Sequence, residues 1–181
     1  MIKHPSFRFI STLALTVAFV SGAAHATTET AAPFGIAIGG SCEQAQATLG
    51  PITKTETDGG ATYHAKNPGA LYVGATQLFV RCSGNEVIAI QFEAPKGFRN
   101  PAARSAYQTL TKNYKKVQGG AIPELGNGYA RFVKGPSVIE INAPHMELDF
   151  TVTYYSKAFY DSIIANIKKR DQATSTTNSK L

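Results

Sequence analysis

Cys42 and Cys82 are the residues of this chain best able to form a new covalent bond, and they are its only cysteines. Such a pair could close a disulfide, supply a nucleophilic thiolate or hold a metal ion. No CxxC spacing is present and no histidine stands beside either cysteine to complete the second or third chemistry. In an exported chain the simplest reading is a disulfide. Bridging residues 40 apart would constrain the unfolded chain by roughly 3–4 kcal/mol in the loop-entropy model.

The other candidates for chemistry are sparse. His64 falls in or at the end of an expected strand, and His145 follows Pro144 in a turn. Neither has a partner at metal-ligand spacing, and HxH and HExxH patterns are absent, so no metal or cofactor site is expected. No G-x-S-x-G elbow exists. Gly35, Gly39, Gly40 and Ser41 have the look of a phosphate loop, but the lysine is missing and the helix that follows is short. Glu140, Glu147 and Asp149 read as outward strand residues on a solvated face rather than as an acid/base pair. No catalytic residue is assigned. Tyr63, Tyr72, Tyr129, Tyr155 and Tyr160 lie on or beside expected strands, and Trp is absent. Outward tyrosines would form a binding face, because Tyr offers large contact area at low entropic cost; ordinary strand propensity explains them too.

The elements that would position these residues follow an export signal. Lys3 and Arg8 give a basic start, Phe9 to Val20 an apolar run, and Ala24-His25-Ala26 a small-x-small cleavage site. This is the pattern of a secretory signal peptide over residues 1–26, and its apolar run is too short to span a bilayer. No further apolar segment follows, so no membrane span is expected after cleavage. Removing Lys3 and Arg8 lowers the formal charge from +6 by two, to +4. That is a mild preference for anionic surfaces, well short of a nucleic-acid footprint. Lys112, Lys115 and Lys116, and Lys168, Lys169 and Arg170, sit where helices are expected to end, which suits the macrodipole; an anion site is the other reading.

Residues 27–33 read as a flexible lead-in, 34–170 as one α+β domain and 171–181 as a disordered tail. Ser41-Cys42-Glu43-Gln44 has the form of a capping box opening a short helix that Gly50-Pro51 stops. Cys42, Ala45 and Leu49 share its buried face. Two short β segments hinge at Asp58-Gly59-Gly60. Leu78, Val80 and Cys82 then alternate with polar residues, and after a turn at Ser83-Gly84-Asn85 so do Ile88, Ile90 and Phe92. Asn100-Pro101 opens an amphipathic helix through Ala103, Tyr107, Leu110, Tyr114 and Val117. Strands are expected over Tyr129 to Val133, Val138 to Asn142 and Met146 to Tyr155, the last with Met146, Leu148, Phe150, Val152 and Tyr154 facing in. Ser156 would cap a closing helix with Phe159, Tyr160, Ile163, Ile164 and Ile167 as its apolar stripe. The order predicts an antiparallel sheet with helices on one face, built from two helix-plus-four-strand repeats and a C-terminal helix.

Phe34-Gly35-Ile36-Ala37-Ile38-Gly39-Gly40-Ser41, running through Ala45 to Leu49-Gly50, resembles the opening of small envelope proteins of the SmpA/OmlA outer-membrane-assembly type and of the β-lactamase-inhibitor-like repeat. There an F-G-I-x-I-G-x-S segment leads into a short helix ending in Leu-Gly and a small antiparallel sheet. The resemblance implies a non-catalytic protein that binds other proteins. The chain departs from the lipoproteins in having no Cys at the cleavage point.

The function expected from these features is a periplasmic or secreted bacterial envelope protein that binds a protein partner without catalysis, as an inhibitor, immunity or assembly accessory protein. Contacts are expected from Asp58, Gly59 and Gly60, from Asn142 to His145, and from Tyr63 and Tyr155. A carrier of an anionic lipid or glycan is one alternative. A small periplasmic hydrolase using His145 with a nearby carboxylate is another. The oligomeric state is left open.

Overall fold

The computed structural model describes residues 29–57, 59–68 and 74–178, with side chains through residue 174. Residues 1–26, read from sequence as a signal peptide, and Asp58 and Tyr72 lie outside the described residues. Helix α1 (Cys42–Leu49) leads into strands β1 (Thr53–Thr57), β2 (Gly60–Lys66), β3 (Gln77–Ser83) and β4 (Glu86–Pro95). Helix α2 (Pro101–Asn113) leads into β5 (Lys115–Gly119), β6 (Gly128–Lys134), β7 (Ser137–Ala143) and β8 (Asp149–Ser156), and α3 (Lys157–Asn178) closes the order. The strands form one eight-stranded sheet, β1-β2-β3-β4-β8-β7-β6-β5, in which every pairing is antiparallel. Two meanders therefore meet at the central β4–β8 pair.

Alternation along the central strands produces the core. Leu78, Val80, Ile90, Phe132, Ile139, Ile141, Phe150 and Val152 are almost wholly buried on one face, each contributing about 1.5–3 kcal/mol by leaving water. Cys42, Ala45 and Leu49 of α1 and Ala103, Ala106 and Leu110 of α2 cover that face. Cys42 and Cys82 are joined as a disulfide with their Cα atoms 6.2 Å apart, which staples α1 to β3. In the opening segment, Ile36 and Ile38 are buried. Gly39 N–H donates to the Val87 carbonyl, and Val87 N–H donates to the Gly40 carbonyl. The segment is thus laced to the start of β4.

Several local expectations change. Helix α3 lies on the opposite face from α1 and α2, so the helices are not gathered on one side. Tyr154 faces α2, where its ring meets Tyr114. The next residue, Tyr155, points the other way and packs on Phe159 and Tyr160 of α3. With the inner face already filled, the stripe begun by Phe159 has only the outer face to cover. Ser156 does cap this helix, accepting from Phe159 N–H at 3.3 Å. The helix also runs past Arg170 to Asn178, through much of the segment read as a tail. Ser41 stands at the α1 N-cap without a side-chain capping bond, and its hydroxyl reaches Asn85 instead. The second helix stops at Asn113, because Tyr114 turns extended. Lys115 and Lys116 then pair with Val133 and Phe132, leaving Val117 exposed at a bulge in an edge strand. Such bulges, with lysines, blunt an edge against pairing with another chain.

Candidate interaction surface

The residues singled out in sequence do not converge. The register places the β1–β2 turn at Gly59-Gly60 beside the β3–β4 turn, while His145 lies in the β7–β8 connection at the opposite end of the sheet. Gly60 is explained by packing: a Cβ there would lie 1.8 Å from the Cys82 carbonyl oxygen, so only glycine lets β2 approach β3 this closely. Tyr63 is a correction to the outward tyrosine face. It is buried between Ala61 and Ala65 on the core face, where small neighbours leave room for its ring. Tyr129, Tyr155 and Tyr160 do lie on the outer face.

Those outer tyrosines surround one carboxylate. Glu140 Oε1 accepts from the Tyr129 hydroxyl at 2.5 Å, Arg131 Nε at 2.9 Å and the Tyr160 hydroxyl at 3.0 Å. The arrangement pins α3 to β6 and β7. Burial, followed by the hydrogen bond to Glu140, pushes the Tyr129 hydroxyl up to about 12. Burial, followed by the Glu140 charge, raises Tyr160 as well. A raised phenol favours the folded state while it stays protonated. Its contribution is complete below the ordinary tyrosine value of about 10 and is lost as pH rises through the folded value. We expect the melting temperature to fall between pH 10 and 12, and to fall less steeply in a Tyr129→Phe, Tyr160→Phe double variant. Equal slopes in the two proteins would refute the assignment.

The other end of the sheet carries a surface of different character. The connections β4–α2, β5–β6 and β7–β8 meet there and hold four large apolar side chains in water: Phe98 is 85% exposed, Leu125 65%, Met146 89% and Leu148 86%. Monomeric proteins rarely gather such residues without a partner for them. Met146 and Leu148 correct the sequence reading, in which both faced inward. Strand β8 begins only at Asp149, opposite Pro95, so these two belong to the turn that precedes it.

Hydrogen bonds hold the three connections together. Lys96 is buried, and its ammonium donates to the carbonyls of Pro144 and His145, while its N–H donates to the Leu148 carbonyl at 3.1 Å. Asn100 Nδ2 donates to the Pro123 carbonyl at 2.9 Å. His145 N–H donates to Asn127 Oδ1 at 2.7 Å, and Gly126 N–H donates to His145 Nδ1 at 3.2 Å. Arg99 and Asn100 both adopt positive φ, a conformation costly for residues other than glycine. A shallow groove of about 490 Å³ lies between Phe98, Leu125 and Leu148. Glu124 at its rim pairs with Arg104 at 3.0 Å and Arg99 at 4.0 Å, so the patch is apolar with a nearly balanced rim.

No family model matches the chain, and no curated protein or solved structure matches it either. Among the described residues no helix is long and apolar enough to cross a membrane, and no group of three His, Cys, Asp or Glu could hold a metal ion. The hydrogen bonds of His145 join it to Lys96, Gly126 and Asn127, and no carboxylate of the described residues forms an ion pair with it.

Sequence reasoning missed Phe98, Leu125 and Lys96 as contributors to this surface. The available signal was the run Pro95-Lys96-Gly97-Phe98 ahead of Asn100-Pro101, an aromatic residue set among turn formers. Lys96 is the residue that ties its connection to the next. A Lys96→Met exchange keeps the bulk of the stem but removes the donor, and should lower the unfolding free energy by about 1–3 kcal/mol. Urea unfolding would measure the loss, and hydrogen exchange at Met146 to Leu148 should accelerate; protection unchanged in that turn would contradict the role.

Proposed function

We propose that this chain is an exported protein of the bacterial cell envelope that works by binding a protein partner, without catalysis, through the connections β4–α2, β5–β6 and β7–β8. The observation that carries the reading is the set of four exposed apolar side chains on three hydrogen-bonded connections. Fixing loops before binding reduces the entropy lost on association. Apolar anchors at the centre of a patch with a polar rim are the usual energetic core of a protein interface. Export is supported by the pattern of the first 26 residues and fits a disulfide between Cys42 and Cys82.

The periplasm is the compartment we propose. We read the α1-to-β4 and α2-to-β8 stretches as two copies of one unit, since each is a helix followed by a four-strand meander. That order, with the Phe34 to Ser41 opening, is what supports kinship with the SmpA/OmlA and β-lactamase-inhibitor-like proteins. Within this reading His145 positions the turn rather than transferring protons.

The test is a cross-linked pull-down of the tagged, disulfide-bonded protein from an envelope fraction, read by mass spectrometry. A stoichiometric protein whose cross-links fall on 96–100, 124–127 and 144–148 supports the proposal. No enriched protein, or cross-links confined to the Gly59-Gly60 end, would overturn it.

A further inference from the structure

A second cleft lies on the outer face of the sheet, between α3 and strands β3, β4 and β8. Its volume is about 420 Å³, within the range of small-molecule sites. The register arranges its floor in three successive rows across these strands. Arg81, Ala89 and Tyr155 form the first, Phe79, Gln91 and Thr153 the second, and Glu93, flanked in register by Gln77 and Thr151, the third. Phe159 and Ile163 of α3 make the wall.

The charges at the two ends of this floor are opposite and unneutralised. Arg81 is exposed; its guanidinium lies 5.0 Å from the centre of the Phe159 ring, and it forms no ion pair with a carboxylate of the described residues. At the other end, the Glu93 carboxylate accepts from two neutral side-chain amides, Gln77 Nε2 at 3.1 Å and Gln91 Nε2 at 3.2 Å. No cation of the described residues lies within ion-pair distance of it. Four residues of β4 separate the two levels, about 13 Å at the rise of a strand. Between them Phe79 lies flat against His64, with ring centres 4.5 Å apart, and offers its edge and remaining surface to the cleft.

We infer that this cleft binds a short peptide of about four residues with both ends free, its ammonium at Glu93 and its carboxylate at Arg81. An extended tetrapeptide spans about 13 Å, matching the separation of the two rows that carry the charges. Apolar side chains in its middle would rest on Phe79, Phe159 and Ile163, as the aromatic floor requires. Length and polarity agree on this class of ligand. The cleft is separate from the loop patch, so neither site depends on the other.

Titration calorimetry with the purified, disulfide-bonded protein tests this, using the tetrapeptide Ala-Leu-Phe-Ala with free ends, N-acetylated, C-amidated and doubly capped. The free peptide should bind, and each cap should weaken binding about fivefold, as for an exposed ion pair. Arg81→Gln should remove the sensitivity to C-amidation alone, and Glu93→Gln the sensitivity to N-acetylation alone. A free peptide that fails to bind at millimolar concentration, or a doubly capped one that binds equally well, would overturn the inference. Because capping leaves the protein untouched, the result does not depend on the variants folding.

Discussion

Exchanging Phe98, Met146 and Leu148 together for serine will weaken capture of the protein partner by at least about a hundredfold and leave the fold intact. All three side chains stand in water in the free chain, so their removal takes nothing from the core. Surface substitutions of this kind change stability by about 0.5 kcal/mol or less. On binding, the same side chains become the desolvated anchors, and each is worth about 1–2 kcal/mol when truncated. Single exchanges should be unequal, with Phe98 the most damaging because its ring offers the largest area. Surface plasmon resonance with the cross-linked partner, alongside thermal melting, separates the two quantities. Affinity that survives the triple exchange would sink the interface assignment.

Removing the staple has the other large effect. A Cys42→Ala, Cys82→Ala double variant should lose about 3–4 kcal/mol of unfolding free energy, the chain entropy released by opening a 40-residue loop. Both sulfurs are buried, and α1 has eight residues, too few to hold itself together in water. Its position over the sheet therefore leans on the bond to β3 and on the contacts of Ala45 and Leu49. Urea unfolding of the oxidised protein and of the double variant measures the difference. A loss under about 1 kcal/mol would show that the loop is already constrained in the unfolded chain.

Much of the frame was legible because it depends on alternation and end signals. Leu78, Val80 and Cys82, and Phe150, Val152 and Tyr154, face the core as their period of two requires, and Cys42 and Cys82 meet as two buried residues of one core. The failures have identifiable causes. A bulge between Arg81 and Cys82 shifts the register with β4, so that Val87 is buried and Ile88 only half-buried, where simple alternation assigns Ile88 to the core. Met146 and Leu148 continue the alternation of β8 in phase, and only their lack of a pairing partner shows that the strand has not begun. The face chosen by α3 depends on what already covers the sheet, which no local pattern records. As for the candidate surface, the placement of His145 in a turn was legible. Phe98 and Leu125 were not, because exposure of an apolar side chain is a tertiary property.

The lead-in at Glu29 and Ala31 is fastened to the β6–β7 turn, by the Lys134 ammonium at 2.6 Å and the Ser137 hydroxyl at 3.0 Å. That turn lies at the far end of the sheet from Phe98 and Met146. On the proposed reading, the molecule therefore has a handle and a working tip. Anything joined ahead of Glu29, whether an affinity tag, a fluorophore or a tether to a surface, attaches at the handle and leaves the tip pointing away. Immobilised through that end, every copy would present its apolar loops outward in one orientation.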